Sequence, residues 1–430
     1  MTSERQGQND DEAQAEAETR ESPGARIAVF SWYGIGVALV ALAAGAWFGL
    51  TAPVVLGALV AGTGLVARGW AAICLWGVTA RRSLDGARAF PGDTLSISLA
   101  LDNGKPLPLS WIRARQCLPE GLHPLPDAAG VGSDTAIETI PGGAALTAET
   151  ALGPYRRATL SRSLVCERRG YYPLPPLTVE SADVFGLFLR RRTERGAEPA
   201  EGSVIVYPRL HPVTDFGLPA RHPLGPNRDP RRLFEDPGRP AGIREYDGNT
   251  PFKAIAWKAS ARTGRLQAKI FEPTVTLEVS LCLAVDGFAA GDAFEAAVSL
   301  AASLVHGELA ERRAVGLYAN GVQAPGLGPL ELAAGRQPGR EMAALEGLAR
   351  LQPQPTVPFA DFLDTVLGRA GLGATLVVIA ASPEPALLAR LTQLSQRGRP
   401  VVLLLSGEGE VPALPFACRR IAAAASGMAA

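Results

Sequence analysis

The first strong pattern along the chain is a pair of apolar stretches near its amino end. Residues 27–50 carry no charge, and after the break at Pro53 residues 53–75 are again almost entirely apolar. As a helix with a rise of about 1.5 Å per residue, either stretch would cross a hydrocarbon layer of about 30 Å. The pattern therefore predicts a transmembrane helical hairpin over residues 27–77.

Charged residues around these stretches predict how the hairpin is oriented. Arg68 interrupts the second stretch toward its carboxyl end, where a long side chain can reach the headgroups. The loop between the stretches has no basic residue, whereas basic residues flank the hairpin on both sides: Arg5, Arg20, Arg26, Arg81, Arg82 and Arg88. Because basic residues concentrate on the cytoplasmic side, both termini are expected in the cytoplasm.

The residues before the hairpin have the opposite character. They are polar and acidic and contain almost no large apolar side chain. Such a segment buries too little surface to offset the entropy that is lost on ordering. Residues 1–26 are therefore predicted to be a disordered acidic tail.

Between residues 78 and 210 the hydrophobic period changes to two. Residues 94–101 and residues 159–165 alternate between apolar and polar side chains, and residues 102–104 supply turn chemistry. Gly, Pro, Asn and Asp occupy the intervals between such runs. This pattern predicts a small antiparallel β module, built as a sandwich or a barrel.

A linker, residues 211–272, follows the β module. Residues 211–241 are rich in Pro, Arg and Asp, which predicts a long exposed connection. Basic residues outnumber acidic ones over residues 221–272, which indicates either a surface for an acidic partner or a solvated face with internal ion pairs. Nucleic-acid binding is the least favoured function, because the 42 basic and 42 acidic residues of the whole chain cancel.

Residues 273–430 show strands that alternate with helices, which predicts a doubly wound α/β domain. The apolar run 276–285, which ends at Asp286, is typical of a central parallel strand. The remaining pattern predicts strands at 314–318, 375–381 and 400–406 and helices at 293–309, 341–351, 359–368 and 385–396. The expected fold class is thus an α+β multidomain protein with a helical hairpin, an antiparallel β module and an α/β domain.

Sequence signals for enzymatic chemistry are absent. The chain contains no nucleophile elbow, no His-Glu-x-x-His motif and no phosphate-binding loop. The four histidines share no ligand spacing, and the five cysteines form no Cys-x-x-Cys pair, although a contact between Cys117 and Cys166 stays open. No catalytic residue and no cofactor are therefore predicted.

The least ordinary segment of the chain is residues 242–272. It places Arg244, Tyr246, Trp257 and Arg262 among small residues. Tyr, Trp and Arg are the side chains that most often dominate protein interfaces, which favours a binding surface. The alternative is structural, with Ile255, Trp257 and Phe271 forming a hydrophobic core at a hinge between the two folded modules.

This segment resembles the signature of the DUF58 family, which are membrane-anchored bacterial proteins with a degenerate von Willebrand factor A-like domain. The family pattern reads roughly Arg-x-Tyr-x-x-Gly-Asp-x-x-Arg-x-Ile-x-Trp-x-x-Ser-Ala-Arg. The chain departs from it at the Gly-Asp pair, which is Asn249-Thr250, and at the second Arg, which is Lys253. It matches at Arg244, Tyr246, Ile255, Trp257, Ser260, Ala261 and Arg262.

The same resemblance extends over the β module. It rests on the runs Phe90-Pro91-Gly92-Asp93, Arg169-Gly170-Tyr171-Tyr172, Asp183-Val184-Phe185-Gly186-Leu187-Phe188 and Val206-Tyr207-Pro208-Arg209-Leu210, which occur in the family's order. Each run by itself is ordinary turn and aromatic chemistry.

The resemblance implies a function and a place in the cell. It implies a multi-pass protein of the bacterial inner membrane that serves as a cytoplasmic scaffold and not as an enzyme. Its expected partners are a MoxR-type AAA+ ATPase, a transglutaminase-like membrane protein and the lipid bilayer, with no nucleic acid. The candidate partner-binding residues are Arg244, Tyr246, Lys253, Trp257 and Arg262.

The resemblance also raises the question of whether Asp286 binds a metal ion. Metal-binding von Willebrand A domains carry Asp-x-Ser-x-Ser after the first strand, because Mg²⁺ prefers hard oxygen ligands. Here residues 286–290 read Asp-Gly-Phe-Ala-Ala, so both hydroxyls are missing, and water or Asp292 would have to replace them. No bound metal is predicted, and Asp286 is expected to cap the next helix.

An envelope-associated hydrolase is the alternative function. It would need a titratable residue near Asp286 with Lys253 or Arg262 beside it.

Overall fold

The computed structural model describes residues 30–125, 135–194, 202–219, 234–247, 252–274, 278–371, 373–406 and 413–421. The predicted tail and the Asn249-Thr250 pair lie outside these ranges. The chain divides into two compact units, one of residues 1–168 and 172–206 and the other of residues 169–171 and 207–430. Both helices and several sheets are present, so the protein is of the mixed α and β class.

Two apolar helices begin the first unit, α1 at Trp32–Phe48 and α2 at Thr51–Ile73. The Ser31 side chain accepts a hydrogen bond from the Gly34 amide at the start of α1, and Gly49 ends the helix in the left-handed conformation at a φ of 66°. The helices approach closely at Gly57, where a Cβ atom would lie 2.6 Å from the Ala38 carbonyl oxygen. Small residues at such a crossing are typical of helices that pack in lipid.

The two helices differ in length. Helix α2 has 23 residues and is long and apolar enough to cross a membrane. Helix α1 has 17 described residues, so it spans about 25 Å against a hydrocarbon core of about 30 Å. The described part of the chain thus contains one helix that could cross a membrane by length and composition, which supports membrane association and does not establish a double crossing.

A β sandwich makes up most of the rest of the first unit, which contains all the strands given below except for Gly170 and Tyr171. Its strands include β3 and β8, which confirm the strands predicted at residues 94–101 and 159–165. The bounds are β1 Val78–Leu84, β2 Arg88–Ala89, β3 Thr94–Asn103, β4 Leu109–Pro119, β5 Leu122–Pro124, β6 Thr135–Ile140, β7 Gly143–Leu152, β8 Arg157–Cys166, β9 Gly170–Pro173, β10 Leu177–Ala182, β11 Leu189–Glu194 and β12 Ser203–Val206.

The core of the sandwich lies between two antiparallel sheets. One has the order β1-β3-β8-β5 and the other the order β11-β10-β4-β7-β6. Leu99 and Leu101 of β3 share one buried cluster with Ile112 and Ala114 of β4 and Val179 of β10. The alternation of apolar and polar residues along β3 therefore places one side of the strand in the core and the other toward solvent.

Two basic side chains of the sandwich bond the carboxyl end of α2. Lys105, which is buried, donates to the carbonyl oxygens of Ile73, at 2.8 Å, and Cys74. Arg192 donates to the carbonyl of Leu75, at 3.0 Å, just after the helix, and to that of Val78, at 2.5 Å, in β1. Cations favour the carboxyl end of a helix, where carbonyls lack intrahelical partners. These bonds join the helix to the sandwich.

The second unit begins with a 3₁₀ turn at Val213–Phe216 and continues with an antiparallel ribbon and an α/β sheet. Its elements are β13 Phe234–Glu245, a 3₁₀ turn Phe252–Ala254, α3 Trp257–Thr263, β14 Gln267–Thr274, β15 Glu278–Leu283, α4 Asp292–Ala310, β16 Ala314–Ala319, β17 Gly321–Gln323, β18 Leu330–Gly335, α5 Arg340–Arg350, β19 Leu351–Pro355, α6 Phe359–Arg369, β20 Thr375–Ala380, α7 Pro385–Gln396, β21 Val401–Leu405 and β22 Ala417–Arg420.

The sheet of the second unit has six strands in the order β18-β16-β15-β20-β21-β22. All pair in parallel except β18, which is antiparallel to β16. Helices α6 and α7 share one core cluster with the sheet, whereas α4 packs on β15, β16 and β20 with buried residues outside that cluster, so both faces are covered. The strands and helices predicted for this region are present, and β17, β18, β19 and β22 are additional.

The connection predicted at residues 211–241 is not exposed throughout. Phe216 is fully buried and Leu218 is 2% exposed, and the His211 amide donates to the Ser303 hydroxyl of α4 at 3.0 Å. Residues 234–241 belong to β13, and residues 220–233 lie outside the described ranges. The prediction is wrong at Phe216 and Leu218, which are buried, whereas Thr214, Asp215 and Gly217 between and before them are exposed.

Candidate functional site

The segment that resembles the family signature folds as a ribbon with a short helix. Strands β13 and β14 pair antiparallel, with Arg244 opposite Ala268. The Ser260 hydroxyl donates to the Ala256 carbonyl at 3.1 Å and accepts from the Gln267 amide at 2.8 Å, which ties α3 to β14. The Ser of the signature thus has a structural role, because it closes this local turn.

The two large apolar residues of the signature have opposite environments. Ile255 is 3% exposed, whereas Trp257 is 65% exposed at the first position of α3. Trp257 is therefore not part of a core within the second unit, and the alternative of a hinge core between the two units stays a prediction. Ile255 is buried as that alternative required, and the Phe271 side chain lies outside what the structure describes.

Three more large apolar side chains of this segment are exposed, and the sequence analysis missed them. Phe252 is 75% exposed, Ile243 is 55% exposed and Leu266 is 46% exposed. Several exposed apolar side chains in one segment indicate an interaction site. The exposure of Ile243 could have been suspected from its position next to the polar pair Arg244-Glu245. In the structure, its strand β13 lies in a two-stranded ribbon.

Each of two candidate binding residues contacts a neighbour that was not a candidate. The rings of Tyr246 and Phe252 lie 6.0 Å apart between centroids, and Arg244 forms an ion pair with Asp247 at 3.4 Å. Lys253 and Arg262 are exposed. Arg262 lies five residues after Trp257, about 140° further around α3, so the two project from different sides of the helix.

At the carboxyl end of the central strand, Asp286 is engaged in hydrogen bonds. Its Oδ2 accepts from Asn320 Nδ2 at 2.6 Å and from the Phe359 amide at 3.2 Å. Phe359 is the first residue of α6, so Asp286 places negative charge at the start of that helix. The expectation that Asp286 caps the next helix is wrong in the identity of the helix, because α4 has Gly291 as its cap.

Asn320 holds this arrangement in place. It is fully buried, accepts from the Val285 amide at 2.8 Å and donates to the Val357 carbonyl at 2.8 Å. In the described part of the chain, the hydrogen-bond partners of Asp286 are thus an amide side chain and a backbone amide. Lys253 and Arg262, which the hydrolase alternative required beside Asp286, are not among them.

A shallow depression of about 450 Å³ lies next to Asp286, lined by residues 287–293, Ala381, Ser382 and Ser406. Small apolar side chains predominate there, and Asp292 supplies the one carboxylate. Among the residues that the structure describes, no group of three or more His, Cys, Asp or Glu side chains could hold a metal ion. The side-chain oxygen atoms of this lining belong to the Asp292 carboxylate and the Ser382 and Ser406 hydroxyls, so the depression offers a single carboxylate to a hard cation such as Mg²⁺.

All five cysteines are free thiols, and Cys117 and Cys166 form no disulfide. Burial raises the pKa of the Cys166 thiol to about 11, and burial also raises the pKa of Cys282. Protonated buried thiols are weak nucleophiles.

Comparison with known proteins gives a distant relative. No family model matches the chain. The chain is 28% identical over 245 residues to the uncharacterized protein YeaD of Bacillus subtilis strain 168, and the match covers 56% of each chain. The chain thus spans about half the length of that relative.

Solved structures show weak local likenesses. An alpha-2-macroglobulin of Salmonella, reacted with methylamine, has 18% identity and a TM-score of 0.24, covering 31% of this chain and 9% of that one. A type II cohesin domain of Acetivibrio cellulolyticus has 10% identity and a TM-score of 0.20, covering 30% of this chain and 94% of that one. Scores this low support no functional inference.

Proposed function

We propose that the protein is a membrane-tethered, non-enzymatic adaptor of the DUF58 type. In this proposal α1 and α2 form a hairpin that crosses the bacterial inner membrane twice and leaves both termini in the cytoplasm. The six-stranded sheet serves as a von Willebrand A-like domain whose metal motif is degenerate. The ordered set of signature residues supports the family, and the parallel sheet with one antiparallel edge strand is compatible with the domain.

The observation that carries the proposal is the exposure of four large apolar side chains on β13, α3 and the residues beside them. We call these side chains, Ile243, Phe252, Trp257 and Leu266, the signature patch. Burying one large apolar side chain contributes about 1.5–3 kcal/mol, so a partner that covers the patch gains substantial affinity. The exposed Lys253, Lys258 and Arg262 accompany the patch and favour a partner with acidic residues at its rim.

The proposed partner is a MoxR-type AAA+ ATPase, with a transglutaminase-like membrane protein as a further associate. Both come from the family resemblance. Binding is expected to need no metal ion on this chain, because the Oδ2 atom of Asp286 already accepts hydrogen bonds from Asn320 and the Phe359 amide. The protein therefore contributes a docking surface and no bridging ion.

The test is direct binding of a purified MoxR-type ATPase from the same cell to the full chain in nanodiscs. The paired substitution Phe252→Ala with Trp257→Ala should weaken binding by about tenfold or more, because it removes two exposed anchors. Leu327→Ala is the matched control, since Leu327 is 50% exposed elsewhere in the second unit and should change little. Absence of binding by the unaltered protein, or equal losses in the control, would refute the proposal.

A second part of the experiment tests whether any metal dependence of binding comes from this chain or from the ATPase. The Asp286→Ala variant and the unaltered protein are compared with and without EDTA, with the nucleotide state of the ATPase held constant. Any metal dependence should then be the same for both proteins. A magnesium requirement that Asp286→Ala abolishes would place a functional metal on this chain and contradict the proposal.

A further inference from the structure

Arg68 on α2 is held by three groups of the first unit. Its guanidinium carbon lies 4.0 Å from the centroid of the Trp32 ring and 4.8 Å from that of the Phe188 ring. Its Nη1 donates to the Phe30 carbonyl at 3.2 Å. The charge is therefore satisfied by a carbonyl and by cation–π contacts with two aromatic faces.

These contacts indicate depth in a bilayer. An arginine at the centre of a hydrocarbon layer is energetically costly, whereas Arg and Trp are favoured at the membrane–water interface. Arg68 and Trp32 therefore mark the membrane–water interface at the carboxyl end of α2, which the sandwich follows in sequence. Trp76, which is 73% exposed just after α2, belongs to the same end of the helix.

Through its contact with Arg68, Phe188 brings a loop of the sandwich next to the carboxyl end of α2. The loop, residues 183–188, connects β10 to β11. Its tip exposes two apolar side chains, with Val184 at 55% and Phe185 at 58%. Because the other end of the loop contacts Arg68, the tip lies close to the interfacial turn of α2.

The loop is built to hold this conformation. The Asp183 carboxylate is buried and accepts hydrogen bonds from the Phe185 amide at 2.9 Å and the Phe188 amide at 2.6 Å. The Gly186 amide donates to the Asp183 carbonyl at 3.0 Å, and its φ of 69° is one that glycine adopts readily. An Asp side chain that bonds the backbone ahead of it stabilises a tight turn. The exposure of Val184 and Phe185 is thus imposed by the turn.

We propose that residues 183–188 form a membrane-interface anchor, in which Val184 and Phe185 insert at the boundary between headgroups and acyl chains. The occupant of this apolar tip is the bilayer itself, since the contact of Phe188 with Arg68 continues the surface of α2. The exposed Arg190, two residues beyond the loop, adds an electrostatic attraction to anionic lipid. With the bonds from Lys105 and Arg192, the anchor orients the sandwich on the membrane.

This inference rests on the proposed membrane tether, and its test separates the two. A photo-crosslinking amino acid is placed at one position at a time in the full chain, which is reconstituted in liposomes of phosphatidylglycerol and phosphatidylethanolamine. Lipid adducts are measured by mass spectrometry. Position 185 reports the anchor, position 66 on the exposed side of α2 reports the tether, and position 137 on β6 is the solvent control, because Val66 and Ile137 are 62% and 41% exposed.

Position 185 should give about tenfold more lipid adduct than position 137, because an inserted side chain stays in contact with acyl chains. Position 184 provides a second probe with the same expectation should the first variant fail to fold. Adducts at position 66 with only control levels at 184 and 185 would overturn the anchor alone. Control levels at all positions would overturn the tether as well.

Discussion

Asn320 donates a hydrogen bond to the Asp286 carboxylate across 2.6 Å, at the carboxyl end of the central strand of the sheet. The same carboxylate oxygen accepts from the Phe359 amide. Ligands of open α/β sheets bind at this edge of the strands. Here the acidic side chain joins two segments of the protein, and this arrangement makes the edge a structural junction.

Replacing Asn320 with Asp should destabilise the second unit. The new carboxylate cannot donate to Asp286 or to the Val357 carbonyl, and it places a second negative charge in a fully buried site. We expect the free energy of unfolding to fall by about 2–4 kcal/mol, measured by denaturant titration of the full chain in detergent. Gln396→Glu, on the exposed end of α7, makes the same chemical change and should have little effect. Equal stability of both variants would contradict the assigned role of Asn320.

Magnesium should not change the stability of the unaltered protein. A ligand that binds the native state raises the unfolding temperature, so a filled metal site would be detected as a shift between Mg²⁺ and EDTA. We expect no shift, and we expect Asp286→Ala to lower the unfolding temperature by the same amount in both buffers. A rise of several degrees in Mg²⁺ that depends on Asp286 would show a metal site.

Trp257 and Ile255 should respond to truncation in opposite ways although they are two residues apart. Ile255→Ala leaves a cavity beneath the ribbon and should lower the free energy of unfolding by about 2–4 kcal/mol. Trp257→Ala removes an exposed side chain and should stay within about 0.5 kcal/mol. Denaturant titration monitored by circular dichroism compares the two. A large loss for Trp257→Ala would mean that its ring is covered in solution.

The Cys166 thiol should make stability fall in alkaline solution. Burial raises its pKa from an ordinary 9.0 to about 11, and the nearby Asp93 carboxylate acts in the same direction. Above pH 9 the unfolded chain releases this proton while the folded chain keeps it, so stability is complete below pH 9 and is lost as the pH rises toward 11. The expected slope is about 1.4 kcal/mol per pH unit from this thiol.

The measurement for Cys166 is unfolding by denaturant at a series of pH values in that window. Cys166→Ala serves as the control, because the other buried thiols and the tyrosines titrate alike in both proteins. The difference between the two slopes isolates the Cys166 thiol. Identical slopes would mean that the site is open to solvent.

Lys105→Met should loosen the end of α2. The substitution keeps most of the side-chain volume and removes the donor to the Ile73 and Cys74 carbonyls. We expect a loss of about 1–3 kcal/mol and faster amide exchange over residues 73–78, measured by hydrogen exchange with mass spectrometry. Lys258→Met, at an exposed site on α3, is the matched control. Unchanged exchange in Lys105→Met would contradict the link between helix and sandwich.

Local patterns predicted much of the fold. The alternation over residues 94–101 appears as β3, because a strand with one buried face has apolar residues at every second position. The apolar runs 375–381 and 400–406 appear as β20 and β21, because a strand with two buried faces is apolar throughout. Strand β22 was missed, since Ala417–Arg420 has no such pattern and becomes a strand through its parallel pairing with β21. The burial of Phe216 was missed for a related reason, because a single apolar residue cannot form a periodic pattern.

The candidate site was only partly predictable. The segment that contains it could be found from its residue types and its family resemblance. The sequence could not predict which of its apolar side chains face solvent. Ile255 and Trp257 are both large apolar residues in the same short segment, and their different burial arises only when the segment packs on β14.

The sequence by itself determined the apolar character of the two N-terminal stretches, the period of the β module, the alternation of strands and helices after it, and the loss of hydroxyls after Asp286. Each of these is a property of neighbouring residues. Only the tertiary structure decided that Asn320 holds Asp286, that Phe188 reaches Arg68 and that Trp257 stays exposed. Those outcomes depend on groups that are distant along the chain and meet only when elements pack, so no local pattern contains them.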